Sequence, residues 1–112
     1  MSAARGDVWL IDFGDPIGHE QGYRRPVVVL SADRLNRSRA GLVVVVPTTT
    51  TRRGLPSHVE IERGESGLAE TSYAKVEDLK SVSVERLGRR LGSVPVDVLH
   101  QIAHVARILL DL

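Results

Sequence analysis

The sequence has 112 residues, 42% of them hydrophobic and 26% charged, which predicts one globular domain over 1–112 rather than a disordered chain. It contains no cysteine, and this excludes disulfides, cysteine-bound zinc and thiol nucleophiles. The formal net charge is +1, so total charge alone predicts no polyanionic partner, although most of the 15 basic residues are arginines, which suit phosphate binding better than lysines do.

Short runs of β-branched and aromatic residues separated by turn signals predict a mostly β chain. The predicted strands, in chain order, cover 7–13, 26–30, 41–46, 58–62, one long bent or two short strands within 70–84, and a short strand over 87–91. Pro47 is expected to end the third strand. Residues 32–40 are polar and arginine-rich and are expected to form a loop or one helical turn.

Apolar residues recur at helical spacing over 95–111, which predicts a C-terminal amphipathic helix. Pro95 suits its start, and Asp97 in the first turn suits the helix dipole. Several short strands and one terminal helix together predict a small, strongly bent sheet or partial barrel capped by that helix.

No apolar run approaches the roughly 20 residues that a membrane helix needs. Residues 1–7 also lack the apolar core of a signal peptide. We therefore expect a cytoplasmic protein that does not enter a membrane.

Two polar loops adjoin the two valine-rich strands, one over 18–26 and the other over 48–56. If these strands pair in antiparallel fashion, both loops lie at the same end of the sheet, which brings Arg25 to the threonines of the second loop. Arginine and hydroxyl groups together can bind phosphate, and loops on a rigid scaffold are common binding sites.

Six short motifs follow one another along the chain. They are RGDVWLIDF at 5–13, PIGHEQ at 16–21, RPVVV at 25–29, the pair Pro47-x-Thr49, KVEDLKS at 75–81 and RLGSVP at 90–95. In order and spacing they resemble the MazF/PemK (Kid) family of toxin endoribonucleases, and the resemblance covers essentially the whole chain.

This resemblance implies an SH3-like small β-barrel with a C-terminal helix, the fold that the family shares with the gyrase-poisoning CcdB toxins. It also implies a homodimer that cleaves single-stranded RNA at specific sequences, with no metal or other cofactor, and so arrests growth. A cognate antitoxin is the implied partner. An acidic, partly disordered antitoxin tail would suit an arginine-lined RNA groove near the dimer interface.

The resemblance assigns catalysis to Arg25, Thr49 and Glu77. It assigns RNA contact to His19, Glu20, Thr50, Lys75 and Asp78. The polar loops add the RNA-binding candidates Tyr23, Arg24, Thr48, Arg52 and Arg53, with Tyr23 as the predicted base-stacking residue, and the groove is expected to include some of Arg34, Arg37 and Arg39. This chain departs from the Kid branch at Glu77, where that branch has aspartate, and at Lys75, where it has arginine. Asp78 stands where several members have glutamine.

These residue types fit cleavage of RNA by its own 2′-hydroxyl. The guanidinium of Arg25 matches two phosphate oxygens and can stabilise their charge. It is a poor base because arginine does not release its proton. Thr49 is expected to hold the phosphate, and the general base is Glu77 or His19.

Two other functions are compatible with the same fold. One is a CcdB-like gyrase inhibitor, which binds a protein instead of cutting RNA, and the other is a catalytically inactive binding module. The Arg25–Pro26 and Pro47-x-Thr49 pairs argue against both.

Overall fold

The computed structural model describes residues 2–12 and 24–112, which form a mostly β structure with a C-terminal helix, as predicted. The strands are β1 (Asp7–Asp12), β2 (Arg24–Val29), β3 (Leu42–Thr49), β4 (His58–Ile61), β5 (Ser72–Lys75), β6 (Lys80–Ser83) and β7 (Leu87–Ser93). The helices are α1 (Asp33–Asn36) and α2 (Val96–Leu110), and two single 3₁₀ turns cover Val76–Asp78 and Val84–Arg86.

The strands form one antiparallel sheet in the order β4-β5-β3-β2-β1-β7, with β6 also paired to β3. Strand β3 changes partner along its length, since Leu42–Val45 pair with β6 whereas Thr48 and Thr49 pair with β5. The prediction that Pro47 ends this strand is wrong. Pro47 is opposite Val27 of β2, and on the other edge of β3 it lies between the stretches paired to β6 and β5, where a proline is tolerated.

Two buried clusters occupy the opposite faces of the central strands. In β2, Val28 belongs to the cluster under helix α2, whereas Val27 and Val29 belong to the cluster on the other face with Trp9. The unbroken valine runs of β2 and β3 follow from this arrangement, because successive side chains in a strand point to opposite faces and here both faces are packed. The sheet is therefore covered by α2 on one face and carries the second cluster on the other.

Helix α2 packs its buried residues Ile102 and Ala106 against the first cluster. Ile108, Leu110 and Leu112, at its C-terminal end, remain exposed. Within the described parts of the chain, no helix is long and apolar enough to cross a membrane.

Asp7, the first residue of β1, links the N-terminal segment to β1 and β7. Asp7 is only 6% exposed, and its carboxylate accepts hydrogen bonds from the Ala4 amide at 2.8 Å, the Trp9 indole at 3.1 Å and the Arg90 Nε at 3.1 Å. A buried carboxylate with this many donors stabilises the local structure, whereas removing it would leave those donors unpaired. Two of the six sequence motifs therefore meet at a structural contact rather than at a site.

The turn over 63–67 lies directly against β7. A Cβ added to Gly92 would come within 2.1 Å of the Glu65 carbonyl oxygen, and one added to Gly67 would come within 2.1 Å of the Leu91 carbonyl oxygen. Both glycines are therefore required by the close approach of two backbones.

Candidate active site

Arg25 and Thr49 occupy facing positions on neighbouring strands. Strands β2 and β3 are antiparallel, which is the condition on which the sequence prediction depended, with Val28 opposite Val46 and Val27 opposite Pro47. The same register, continued by two residues, places Arg25 opposite Thr49. Directly opposed residues project from the same face of a sheet, so the guanidinium and the hydroxyl share one face.

Both residues lie in strands, not in the loops where the sequence placed them. Arg24 and Arg25 are opposite Asp12 and Ile11 of β1, while Thr49 is opposite Tyr73 of β5. The strands extend into these polar segments because each finds a pairing partner, which overrides the low local hydrophobicity. The sheet therefore fixes the backbone of the candidate site.

Thr48 and Thr49 have different environments because neighbouring strand residues point to opposite faces. Thr48 is only 5% exposed, and its hydroxyl donates a hydrogen bond to the Pro26 carbonyl at 2.9 Å. This bond joins β2 to β3, and the RNA contact predicted for Thr48 stays a prediction. Thr49 is partly exposed, and its Oγ1 accepts the Thr51 amide hydrogen at 3.1 Å, so its own hydroxyl hydrogen can still be donated.

Strands β3, β5 and β4 present an outward surface next to this pair. Their inner residues, Val59, Ile61 and Ala74, belong to the cluster under α2. The opposite side, which we name the polar face, carries the alternate residues Thr49, Tyr73, Lys75 and Glu60, together with His58, whose side chain is buried. Arg25 extends the polar face onto β2.

Glu77 is held at both carboxylate oxygens. Its Oε1 accepts the Ser57 hydroxyl hydrogen at 2.8 Å, and its Oε2 lies 2.9 Å from His58 Nε2, whose side chain is 3% exposed. Partial burial raises the pKa of Glu77, but the hydrogen bonds from Ser57 and His58, a backbone hydrogen bond and the charge of His58 outweigh it and lower that pKa below 4.5. Glu77 is therefore a carboxylate at neutral pH, already engaged at both oxygens.

The Val76–Asp78 turn that carries Glu77 is tied down at both sides. The Val76 amide donates to the Ser57 carbonyl at 3.1 Å, and Lys75 Nζ forms an ion pair with Asp78 Oδ2 at 2.8 Å. Both ion-pair partners are partly exposed, so the pair is weakly stabilising and RNA could compete for either group.

The predicted catalytic residues fall into two groups. Arg25 and Thr49 lie on β2 and β3, whereas Glu77 is bonded to His58 on β4, and β5 lies between β3 and β4 in the sheet. At about 4.8 Å per strand, the Arg25 and His58 strands are separated by about 14 Å along the sheet.

The other predicted RNA-binding residues of the described ranges lie in two different connections between strands. Thr50, Arg52 and Arg53 are exposed in the connection that follows Thr49. The connection between β2 and β3 carries Arg34, Arg37 and Arg39, in and after α1. This connection is at the end of β2 opposite Arg25. Within one chain, these three arginines therefore do not line a groove beside Arg25. The predictions for His19, Glu20 and Tyr23 lie outside the described residues.

Sequence reasoning missed four residues of this surface, namely Ser57, His58, Glu60 and Tyr73. The alternation of 58–62 indicated that His58 and Glu60 share a strand face. Nothing in the local sequence indicated that His58 meets Glu77, because that contact joins segments 19 residues apart. Among the described residues, no group of three or more His, Cys, Asp or Glu side chains could hold a metal ion.

Comparison with known proteins relates this arrangement to one family. Residues 4–110 match the family described as the PemK-like, MazF-like toxin of type II toxin–antitoxin systems. The chain is 34% identical to the endoribonuclease MazF9 of Mycobacterium tuberculosis over 113 residues, with 96% of each chain covered.

Two solved structures resemble the fold closely. MazF from Deinococcus radiodurans superposes with a TM-score of 0.81 at 26% identity, covering 100% of this chain and 99% of the other. An endoribonuclease in complex with its cognate antitoxin, from a mycobacterial species, superposes with a TM-score of 0.78 at 26% identity, covering 98% and 96%.

Proposed function

The chain belongs to the PemK-like, MazF-like toxin family of type II toxin–antitoxin systems and is an endoribonuclease of that family, and we propose that it cleaves single-stranded RNA at specific sequences without a metal ion. The observation that carries this proposal is the β2–β3 register, which places Arg25 opposite Thr49 when it is continued by two residues. The relatives are endoribonucleases, which leaves the CcdB-like alternative of gyrase inhibition without support.

The proposed reaction uses the substrate's own nucleophile. The 2′-hydroxyl oxygen attacks the adjacent phosphorus, the bond to the 5′-oxygen breaks, and the products end in a 2′,3′-cyclic phosphate and a 5′-hydroxyl. The proton of the 2′-hydroxyl passes to a base, and the leaving 5′-oxygen takes up a proton. The enzyme must also stabilise the charge that develops on the phosphoryl oxygens.

Arg25 and Thr49 are suited to the phosphate. A guanidinium can donate two parallel hydrogen bonds to two phosphoryl oxygens, and the Thr49 hydroxyl can donate one more from the neighbouring strand. Because strand pairing fixes both backbones, these donors need little reorganisation when charge develops in the transition state.

Glu77 has a different task in this proposal. A carboxylate whose oxygens already bond to Ser57 and His58, and whose pKa is lowered, is a weak proton acceptor. We therefore propose that Glu77 is a positioning residue that holds the Val76–Asp78 turn against β4. Of the two bases that the sequence predicts, this favours His19.

We propose that the protein acts in the cytoplasm as a two-fold homodimer, and that RNA cleavage stops translation and growth. A 112-residue domain with a shallow site gains a groove by dimerisation, and the exposed apolar residues Ile108, Leu110 and Leu112 offer contact area. A cognate antitoxin with an acidic, partly disordered tail would cover Arg25 and exclude RNA, and a structurally similar mycobacterial endoribonuclease does bind a cognate antitoxin.

The decisive experiment incubates the purified protein with a long single-stranded RNA in excess chelator and maps the cleaved ends. We expect cuts at a small set of sequences, cyclic phosphate termini, and no cleavage where a 2′-deoxynucleotide precedes the cut. Cleavage that stops with chelator and returns with magnesium would contradict the metal-independent reaction. Absence of RNA cleavage together with inhibition of gyrase would support the alternative.

A further inference from the structure

A row of four side chains crosses the polar face at the level of the proposed phosphate site. Thr49 is opposite Tyr73, and Tyr73 is opposite Glu60, while the β2–β3 register places Arg25 on the other side of Thr49. Arginine, threonine, tyrosine and glutamate therefore follow one another on four adjacent strands, on the same side of the sheet.

Tyr73 is partly exposed on this face, and Glu60 is exposed beside it. The residues on either side of Tyr73 in β5, Ser72 and Ala74, point inward and are buried, so the backbone beneath the ring is fixed. The flat Tyr73 ring and the Glu60 carboxylate, a hydrogen-bond acceptor, therefore lie side by side at the surface.

We propose that Tyr73 and Glu60 form a nucleobase site, in which the Tyr73 ring stacks on an unpaired base and the Glu60 carboxylate accepts a hydrogen bond from an amino group on the edge of that base. This inference rests on the proposed cleavage of single-stranded RNA. An ionised carboxylate only accepts hydrogen bonds, so the site selects bases with an exocyclic amino group over uracil. Base stacking on an aromatic ring is tolerant of base identity and supplies the affinity.

The spacing of the row fits a nucleotide bound across the strands. Neighbouring strands are about 4.8 Å apart, so Tyr73 lies about 5 Å from the Thr49 strand and about 10 Å from the Arg25 strand. A phosphate held between Arg25 and Thr49 would therefore have its own or the adjacent base over β5. The positive side chains of Arg52 and Arg53, in the connection after Thr49, lie at the same end of β3 and can attract the continuing backbone.

The test measures binding of an RNA oligonucleotide that contains the mapped cleavage sequence and a single 2′-deoxynucleotide 5′ to the cut, so that it binds without being cleaved. Tyr73→Leu should weaken binding about 10- to 100-fold, whereas Tyr73→Phe, which keeps the ring, should stay within about 3-fold of the original protein. Circular dichroism and thermal unfolding of each variant establish that it is folded.

A scan of abasic nucleotides through the oligonucleotide identifies the stacked position. At that position the missing base should weaken binding to the original protein about 10- to 100-fold but should have little further effect on Tyr73→Leu, because both changes remove the same contact. Such coupling is not expected if Tyr73 only supports the fold.

Glu60→Gln should reduce the preference for amino-bearing bases at one position of the mapped cleavage sequence by about 10-fold. Glu65→Gln, which removes an exposed carboxylate in the turn against β7, is the matched control and should leave the preference unchanged. If Tyr73→Leu binds every oligonucleotide as tightly as the original protein, the nucleobase site is refuted while RNA cleavage stands. If the original protein cleaves no RNA, the proposed function and this site fail together.

Discussion

His58 Nε2 lies 2.9 Å from Glu77 Oε2, and this contact joins strand β4 to the Val76–Asp78 turn. The other ring nitrogen, Nδ1, is buried and has no hydrogen-bond partner among the described residues. Because the ionised Glu77 carboxylate only accepts hydrogen bonds, His58 Nε2 is the donor in this contact. The pair thus holds the edge of the polar face in one arrangement.

The lowered pKa of Glu77 makes this contact sensitive to acid. A carboxyl group whose pKa is lower in the folded than in the unfolded protein stabilises the fold above its unfolded pKa, and the stabilisation is lost as pH falls through the folded pKa. Glu77→Gln should therefore be less stable than the original protein at pH 7, by at most about 1 kcal/mol because the carboxylate is partly exposed. The difference should shrink as the pH falls below 4.5.

Urea unfolding of both proteins at pH 7 and near pH 3 measures this difference. A gap in the free energy of unfolding that is the same at both pH values would contradict the assignment of the lowered pKa to Glu77.

Arg25→Ala should abolish RNA cleavage and leave the protein folded. Arg25 is exposed near the start of β2 and does not belong to either buried cluster, so its loss removes charge stabilisation at the phosphate without opening the core. Single-turnover cleavage of the mapped RNA and thermal unfolding test the two halves of this statement. Near-normal cleavage by a folded Arg25→Ala protein would remove Arg25 from the catalytic assignment.

The neighbouring threonines provide a matched pair of substitutions. Thr49→Val should lower the cleavage rate about 10- to 1,000-fold with little change in stability, because one hydrogen bond to the phosphate is lost. Thr48→Val should destabilise the protein by about 1 kcal/mol while cleavage continues, because its hydroxyl bonds to the Pro26 carbonyl. The opposite pattern, with Thr48→Val inactive and Thr49→Val active, would reverse the assignment of the two residues.

The strands and the helix that repeat a short sequence period were predictable from local patterns. The valine runs, the alternation of 58–62 and the helical spacing of 95–111 predicted β2, β3, β4 and α2. These features depend on periodicity within short segments. Antiparallel pairing of β2 and β3 was assumed at the sequence level, and the structure has it. The boundary at Pro47 was wrong because the continuation of β3 depends on pairing with β5, which lies more than 20 residues farther along the chain.

The same long-range pairing decides which residues lie on the polar face. Once β3 extends to Thr49, strand alternation separates Thr48 from Thr49, and the β3–β5 and β5–β4 registers bring Tyr73 and Glu60 into the row. The His58–Glu77 contact adds a turn whose position is set by packing against β4. A single sequence carries no local signal for either relationship.

Gly92→Ala should be strongly destabilising. An added methyl group would lie 2.1 Å from the Glu65 carbonyl oxygen, a backbone atom that cannot move without displacing the turn over 63–67 from β7. We expect a loss of at least about 3 kcal/mol or failure to fold. Gly64→Ala is a useful comparison because the space around it is open, so only its positive φ of 102° opposes the substitution. If Gly92→Ala were as stable as the original protein, the close packing of the turn on β7 would be incorrect.

The role of Glu77 in cleavage is tested by the pH dependence of the rate. If Glu77 only positions the Val76–Asp78 turn, Glu77→Gln should lower the single-turnover rate by at most about 100-fold at every pH and keep the acidic limb of the profile. Ser57→Ala, which removes the hydrogen bond to Glu77 Oε1, should cause a smaller loss, and the double variant should lose no more than Glu77→Gln alone, because all of these changes act on one network. If Glu77 is instead the base, Glu77→Gln should lose about 100- to 10,000-fold and the acidic limb that reports its ionisation should disappear, which would overturn the positioning role.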